Sequence, residues 1–568
     1  MDEVIRYPKQ LLVDTIRQNY FKTSSEIAHL LAEELVKTTN TSFQISSRLI
    51  KELTKQKVSV EFQEAETGER HKLQITGEKD VIDESDIRNA LSLKDRFDIG
   101  DNAYAAIAQH SALNKPFPSL CHLKTQRQQL NAELPKPRPF CLSDGCSGIR
   151  IHLLNALQMK IASTPDIAQL STIKVRLSLD GTDVSHSLKH LYFICSIIIE
   201  GQYATKVDII PLGILEGPEN LSTVRALLES AIDDSKKLME EGIEIPGIGH
   251  RDVEVYVTGD YKMLLLLLSV GHVSSKYPCV YCFAEKTDLG NFETACEQKT
   301  MDCIIERHCS AKKSQQKGCQ YPPAFPHIPL AHHVLDILHW FLRITDQIEN
   351  ALMAELMDMD LAARISEGTQ FSTGSAAKKY PHLEVLKQYF RQIGIRFSYW
   401  ESREGGKIKW TSFRGPEKEA MCERLVVSDL LGGENPHTAT LQKLLNTVHS
   451  HYQLLRRPQK WTESEISKFR DESKNFVRQF QSLGSRSNVT PYMHLYWAHM
   501  PDLLDYHKSL YQFSQEMAEK FNDISKKAVF RSTNKQSEKY LVQLASKHLR
   551  VVASASRKPA KLRQRKKF

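Results

Sequence analysis

The chain has 568 residues, of which 41% are hydrophobic, and its formal net charge is +8. A chain of this length is too long to fold around a single hydrophobic core, so two to four domains are expected. The longest apolar runs, Leu191–Ile199 and Met263–Val270, fall short of the ~20 residues of a membrane span. The first residues have no basic flank leading into an apolar core, so no signal peptide is expected. We therefore expect an intracellular protein without a membrane partner, whose eleven cysteines serve as thiols or metal ligands.

Residues 1–140 are predicted to form a helical region. Serines that can act as an N-cap precede the apolar run Ile27–Val36, and hydrophobic residues recur at helical spacing within Phe43–Lys57. Two short helices fit a DNA-binding helix-turn-helix unit, but they fit any small helical domain as well, so both interpretations stay open. The proline-rich segment Leu134–Pro139 is predicted to be a linker.

Residues 150–275 change to strand-forming sequence, rich in valine, isoleucine and aromatic residues, with short polar turns between the runs. The predicted order of three strands, a helix, a strand and a helix matches the first part of an RNase H-like domain. In that fold one carboxylate lies on the first strand and another follows the fourth, and Asp180 and Asp260 occupy those places. The predicted strands are Ile173–Leu179, His190–Ile199, Thr205–Leu212 and Val253–Val257, and the predicted helices are Asn220–Gly242 and one that begins near Tyr261.

Residues 276–490 are predicted to be a large helical insertion into this α/β domain, and residues 491–540 to end in a long amphipathic helix. Glu519 lies on that helix, and Glu516 is its rival because both lie off the apolar stripe. Two carboxylates at strand ends and a third on a later helix can assemble a two-metal site for phosphodiester chemistry. Magnesium prefers such hard oxygen ligands.

Both aspartates have a simpler interpretation. Asp180 precedes a glycine and Asp260 follows one, and an aspartate in either setting is usually a turn residue. Asp183 competes with Asp180, or supports it from outside the metal-binding group.

Cysteine and histidine pairs predict a zinc site. Cys279 and Cys282 form a Cys-x-x-Cys knuckle, and His494 and His499 are separated by four residues. Together they supply the four ligands of a closed tetrahedral site. A redox pair or two inert thiols are the alternatives for the cysteines. A second, irregularly spaced group could form another zinc site and consists of Cys296, Cys303, His308, Cys309 and Cys319.

The spacing of these residues resembles that of one family. Asp260 precedes Cys279 by nineteen residues, and His499 precedes Glu519 by twenty. Both intervals are similar to those in the catalytic core of the V(D)J recombination-activating protein and in Transib-like transposases. The segments around His494 and Glu519 resemble that family too, including the asparagine three residues after the glutamate. The similarity covers roughly residues 170–535.

The resemblance implies a DDE-type DNA transposase with an RNase H-like catalytic domain. Asp180, Asp260 and Glu519 would hold Mg2+ (or Mn2+), and the Cys2His2 group would hold Zn2+. The implied partners are double-stranded DNA, as terminal inverted repeats and target DNA, and a second copy of the chain in a homodimer. The implied compartment is the nucleus. A hairpin intermediate in the DNA is implied by the resemblance alone.

Some features depart from the family. The interval between Asp180 and Asp260 is shorter than in the recombinase, and no RING-type or nonamer-binding module is recognisable upstream. A transposon-type relative is therefore favoured over the vertebrate recombinase. Two other classes stay open: a domesticated, transposase-derived DNA-binding protein without catalytic activity, and an unrelated zinc-stabilised binding module whose aspartates are turn residues.

Residues 541–568 are predicted to be a basic C-terminal tail. Seven of the twelve residues from Arg557 to Phe568 are lysine or arginine, and the segment has too few apolar side chains to fold alone. It is predicted to direct nuclear entry and to contact DNA phosphates, and an ordinary solubilising terminus is the alternative.

Overall fold

The computed structural model describes residues 59–63, 70–74, 82–110, 118–202, 205, 208–293, 296–366, 380–402, 407–484, 488–533 and 539–554. The chain divides into two compact units. One combines Met1–Lys136 with Lys527–Ser554, and the other contains Pro137–Lys526.

The larger unit is built on a mixed central sheet. Its strand order is β10-β9-β5-β6-β7-β4-β3, with β8 paired to β9 outside this path. β5 pairs in parallel with β9, and β9 in parallel with β10, whereas the other neighbours pair antiparallel. The strands are β3 (Arg138–Cys141), β4 (Ser147–Arg150), β5 (Thr172–Asp183), β6 (Lys189–Ile198), β7 (Ile210–Glu216), β8 (Ile243–Ile245), β9 (Gly249–Gly259) and β10 (His333–Leu335).

The centre of the sheet is covered on both faces. β5 buries every residue from Val175 to Leu179, and β6 buries every residue from His190 to Ile198. Such continuous burial explains why these runs are rich in β-branched and aromatic residues rather than alternating with polar ones. Asn220 caps the helix that follows β7 through a reciprocal bond with Thr223, so this helix begins where the chain turns back over the sheet.

Helices make up most of the rest of this unit. Those near the sheet are α4 (Leu153–Ala162), α5 (Pro165–Ala168), α6 (Leu221–Glu241), α7 (Tyr261–Leu268), α8 (Met301–His308) and α9 (Lys313–Gln316). Those after β10 are α10 (Ile337–Ser366), α11 (Pro381–Gln392), α12 (Gly415–Arg424), α13 (Ser428–Leu431), α14 (Thr438–Leu455), α15 (Glu463–Gln481), α16 (Pro491–Ala498), α17 (Met500–His507) and α18 (Glu516–Ser532). A small hairpin of β11 (Tyr399–Glu401) and β12 (Ile408–Trp410) lies among them.

The predicted α/β class is confirmed, with several local differences. The third strand covers Ile210–Glu216 instead of Thr205–Leu212. The hairpin of β3 and β4 begins at the end of the predicted linker, and β11 and β12 interrupt the predicted helical insertion. β10 lies inside the predicted range 276–490 yet belongs to the sheet. These strands have only three or four residues, too few for a periodic pattern to reveal them.

The smaller unit combines helices with a hairpin. β1 (Ser59–Gln63) and β2 (Arg70–Gln74) pair antiparallel, so the region predicted to be helical also contains strands. The helices are α1 (Glu84–Arg96), α2 (Asp101–His110), α3 (Leu120–Glu133) and α19 (Lys539–Ala553). The predicted helices within Ile27–Val36 and Phe43–Lys57 lie outside the described residues.

The C-terminal tail begins later than predicted. Residues 541–553 belong to α19, whose apolar face is buried. Arg550 on this helix donates from Nε to Asp95 Oδ2 at 2.8 Å, and both side chains are buried. The basic segment from Arg557 onward lies outside the described residues.

Candidate active site and metal centre

Asp180 and Asp260 lie at the same end of two neighbouring strands. The parallel pairing of β5 and β9 ends with Ser178 opposite Thr258. Asp180 lies two residues further along β5, which the sequence predicted to end at Leu179 but which continues beside β6 to Asp183, and Asp260 is the first residue after β9. Adjacent strands are about 4.8 Å apart, so the two carboxylates begin from neighbouring positions. Asp260 also caps α7, because its carboxylate accepts from the Met263 backbone N–H at 2.7 Å.

Helix α18 is anchored to this end of the sheet by a buried arginine. Arg176 on β5 donates to Ser196 Oγ at 3.0 Å, and to the carbonyl oxygens of Gln512 and Ser514 at 3.0 and 2.9 Å. Burial lowers the pKa of Arg176 to about 10, which leaves it charged at neutral pH. The turn before α18 is therefore fixed to the central strands, and Glu519 lies in the first turn of that helix.

A second contact joins α18 to the first carboxylate. The buried Asn522, one helical turn after Glu519, donates from Nδ2 to Asp180 Oδ2 at 2.5 Å. Its Oδ1 atom is buried without a hydrogen-bond partner among the described residues. Burying an amide oxygen without a hydrogen bond costs free energy. This oxygen is therefore available to bind a metal ion beside Asp180.

The carboxylates at this end of the sheet are close enough to interact electrostatically. Burial raises the pKa of Asp180 to about 7, and the negative charges of Asp260, Glu519 and Glu219 add to this effect, whereas His339 opposes it. Burial also raises the pKa of Glu519. A buried carboxyl whose pKa is raised by neighbouring negative charges is typical of a functional site, and such a group of charges attracts cations.

Glu219 is a fourth carboxylate that sequence reasoning missed. It lies in the loop before α6, with Oε2 3.3 Å from Lys262 Nζ, and burial together with Asp260 raises its pKa. Its Oε1 atom is buried without a partner among the described residues. A Cβ atom at Gly181 would lie 2.8 Å from Glu219 Oε2, so any larger residue there would displace the Glu219 carboxylate. In the sequence, Glu219 is recognisable only as the residue before the helix cap Asn220.

His339 and Asp336 were missed as well. Asp336 lies between β10 and α10, and His339 lies in the first turn of α10. His339 Nδ1 is 2.6 Å from Asp336 Oδ2. The other ring nitrogen, Nε2, lies 3.8 Å from Glu519 Oε1. Burial favours the neutral ring, but the hydrogen bond and the charges of Asp336, Asp260 and Glu519 outweigh it and raise the pKa of His339 to about 9.

The rival carboxylates lie in different surroundings. Glu516 accepts from Tyr452 at 3.2 Å and forms an ion pair with Arg456 Nε at 2.8 Å. The Asp183 side chain is 73% exposed and lies 3.6 Å from Lys189 Nζ. Glu516 therefore has structural partners, and Asp183 is a surface residue at the end of β5.

The predicted zinc ligands come together at one buried point. Cys279, Cys282, His494 and His499 are all buried, and one potential ligand atom from each lies within 4.8 Å of the others. His499 Nε2 is 3.4 Å from Cys279 Sγ, and His494 Nε2 is 3.2 Å from Cys282 Sγ. Tetrahedral zinc at ordinary bond lengths places sulfur and nitrogen about 3.6 Å apart. The cluster is therefore of the right composition and size for a metal such as zinc.

The surroundings of the cluster favour metal binding over a redox role. His494 Nδ1 lies 2.9 Å from the Leu289 carbonyl oxygen, so Nδ1 carries the proton and Nε2 is free to bind a metal. The nearby histidines and the Cys282 thiol hold the pKa of Cys279 well below its usual range despite burial. Within the described ranges, this is the only group of three or more candidate ligands whose atoms lie within 4.8 Å of one another. The second cysteine and histidine group therefore does not assemble a zinc site there, and the oxygens of Asp180, Asp260 and Glu519 are spaced more widely than the zinc ligands.

The chain was compared with protein-family models and with curated proteins. No protein-family model matches the chain, and no curated protein matches it significantly. In the part of the chain that is described, no helix has both the length and the apolar character needed to cross a membrane.

Proposed function

We propose that the protein is a DDE-type DNA transposase or recombinase that cuts transposon ends and joins DNA strands. The observation that carries this proposal is the convergence of Asp180, Asp260 and Glu519 at one end of the central sheet. Three separate parts of the chain supply them, and Asn522 connects the last part directly to Asp180. Turn residues of an unrelated binding module have no reason to converge in this way.

The sheet supports an RNase H-like catalytic domain. Counted from β5, the strands β5, β6, β7, β9 and β10 lie in the spatial order 3-2-1-4-5, with the first three antiparallel and the last two parallel to the first. That arrangement is the one expected of an RNase H-like core. The helices from α10 to α17 then form the insertion between its fifth strand and the helix that carries Glu519.

The cations proposed for the carboxylate site are Mg2+ or Mn2+. Its donors are hard oxygens, and the buried unpaired atoms Asn522 Oδ1 and Glu219 Oε1 add further oxygen donors beside them. Divalent cations bound there would supply charge stabilisation for the attacking and leaving oxygens of a phosphodiester. Asp180, Asp260 and Glu519 would hold the cations, while Asn522 fixes the orientation of the Asp180 carboxylate.

The Cys2His2 cluster would hold structural Zn2+. Four protein ligands fill a tetrahedral site, which leaves no position for a substrate. The ligands join the loop after α7 to helices α16 and α17, which precede the Glu519 helix in the chain. Zinc would thereby fix the segment that leads into the candidate active site.

The proposed partners follow from the reaction. Cleavage of two transposon ends requires that both ends be held together, which favours a homodimer bound to double-stranded DNA in the nucleus. The basic segment from Arg557 would add a salt-dependent, sequence-independent contribution to DNA affinity.

The test is DNA nicking in the presence of Mg2+ or Mn2+. The substrate is a labelled duplex made from the genomic DNA on either side of the gene, where the inverted repeats of a transposon would lie. Asp180→Asn, Asp260→Asn and Glu519→Gln should abolish nicking and leave binding of the duplex intact, whereas Asp183→Asn should cut like the wild type. Wild-type protein that binds the duplex but never cuts it would favour the domesticated DNA-binding protein. Activity that survives in all three variants would refute the proposed site.

A further inference from the structure

We propose that His339 is a positioning residue, which connects the buried Asp336 to Glu519 and so fixes the Glu519 carboxylate in its metal-binding orientation. This inference deepens the proposed function and rests on it. Neither residue belongs to the predicted carboxylate set, and neither is a candidate zinc ligand.

Asp336 is the anchor of this arrangement. It is fully buried at the start of α10, and its Oδ1 atom accepts from the backbone N–H of Gln515 at 2.8 Å and of Leu338 at 3.2 Å. Its Oδ2 atom accepts from the backbone N–H of His339 at 2.8 Å and lies 2.6 Å from the ring nitrogen Nδ1. Four hydrogen bonds leave this carboxylate no room to rotate.

Asp336 therefore reaches Glu519 by two routes. The first is the backbone. Asp336 accepts from the Gln515 N–H, and the Gln515 carbonyl oxygen in turn accepts from the Glu519 N–H, one helical turn later, at 2.9 Å. The second is the His339 ring. With Nδ1 bonded to Asp336, the ring presents Nε2 towards Glu519 Oε1 at 3.8 Å, which is within the range of an ion pair.

The position of this chain of contacts indicates a role at the site rather than in general packing. The same pairing occurs elsewhere in the helical part: His382 Nδ1 lies 2.7 Å from the buried Asp360. Among the described residues, however, His382 forms an ion pair with Asp360 alone. Carboxylates that bind metals are oriented by polar side chains around them, and the Asp336–His339 pair ends at such a candidate ligand.

The experiment measures Mn2+ binding by electron paramagnetic resonance in the full-length protein, without DNA. His339→Asn keeps a side-chain donor near the Nδ1 position but loses the reach to Glu519. Its dissociation constant for Mn2+ should rise 10- to 100-fold, as is usual for residues that orient metal ligands. His382→Asn is the matched control and should bind Mn2+ like the wild type.

A double-mutant cycle separates positioning from an independent effect. If His339 acts through Glu519, adding His339→Asn to Glu519→Gln should weaken Mn2+ binding no further. Equal Mn2+ affinity in His339→Asn and wild type, or full additivity with Glu519→Gln, would overturn the inference. Failure of the proposed function is distinguishable, because Mn2+ binding by the wild type would then be absent or insensitive to Asp180→Asn.

Discussion

Asp180 should destabilise the folded protein at neutral pH when no divalent cation is present. Its pKa in the fold is about 7, against an ordinary value of 3.8, so the folded state favours the protonated form. Protonated Asp180 therefore contributes to the free energy of unfolding. This contribution is present in full below about pH 4 and is lost as the pH rises through 7. A difference of about three pKa units corresponds to at most about 4 kcal/mol at pH 8.

Asp180→Asn removes this cost, because an amide cannot ionise. The larger unit has about 390 residues, for which an unfolding entropy of about 0.8 kcal/mol/K is expected. The variant should therefore unfold up to about 5 °C above the wild type at pH 8, and at the same temperature as the wild type at pH 4.

The assay is thermal unfolding at several pH values in buffer free of Mg2+ and Mn2+, with the exposed Asp183→Asn as the control. Addition of Mn2+ should stabilise the wild type and leave Asp180→Asn almost unchanged, since the variant lacks a ligand. Equal shifts of the unfolding temperature in Asp180→Asn and Asp183→Asn at pH 8 would show that ionised Asp180 does not destabilise the fold.

Three further outcomes are expected. The double variant Cys279→Ser/Cys282→Ser should contain one zinc ion per chain fewer than the wild type by elemental analysis, and it should unfold at a lower temperature. The control Cys309→Ser, at an exposed cysteine, should keep the zinc content of the wild type. Unchanged zinc content in the double variant would contradict the proposed zinc site. Asp336→Asn should cost about 2–4 kcal/mol in unfolding by denaturant, because its amide group would face two N–H donors in a buried place; a loss below about 0.5 kcal/mol would show that the four bonds are unimportant. Deletion of residues 557–568 should move the protein to the cytoplasm and flatten the dependence of DNA binding on salt; a nuclear protein with the wild-type salt slope would make the tail a solubilising terminus.

The long elements and the zinc cluster were predictable from the sequence. β5 and β6 are continuous apolar runs, and α6 has a cap and a regular apolar face, so local pattern alone identifies them. The Cys-x-x-Cys and His-x4-His pairs are local signals too, although only the fold brings the two pairs together across 212 residues of chain. The resemblance indicated Asp260 and Glu519 through their intervals to the zinc ligands, whereas Asp180 was predicted from its place on the first strand. In the structure Asn522, on the Glu519 helix, donates to Asp180.

The remaining residues of the candidate site leave no local signal. Glu219 and Asp336 are single carboxylates in loops, and their meaning depends on which strand ends lie beside them. His339 lies on an apolar helix, where a histidine usually packs or caps. β10 has three residues and is recognisable as a strand only because β9 offers it a parallel partner. These features depend on contacts between distant parts of the chain, which periodicity cannot reveal.

Anomalous X-ray diffraction from crystals grown with Mn2+ can show whether cations bind at the proposed active site. Scattering measured near the manganese absorption edge locates the ion without any assumption about DNA sequence. We expect anomalous peaks in contact with the carboxylates of Asp180, Asp260 and Glu519, and their loss in Asp180→Asn crystals. Well-ordered crystals of the wild type with no manganese at these carboxylates would contradict this expectation.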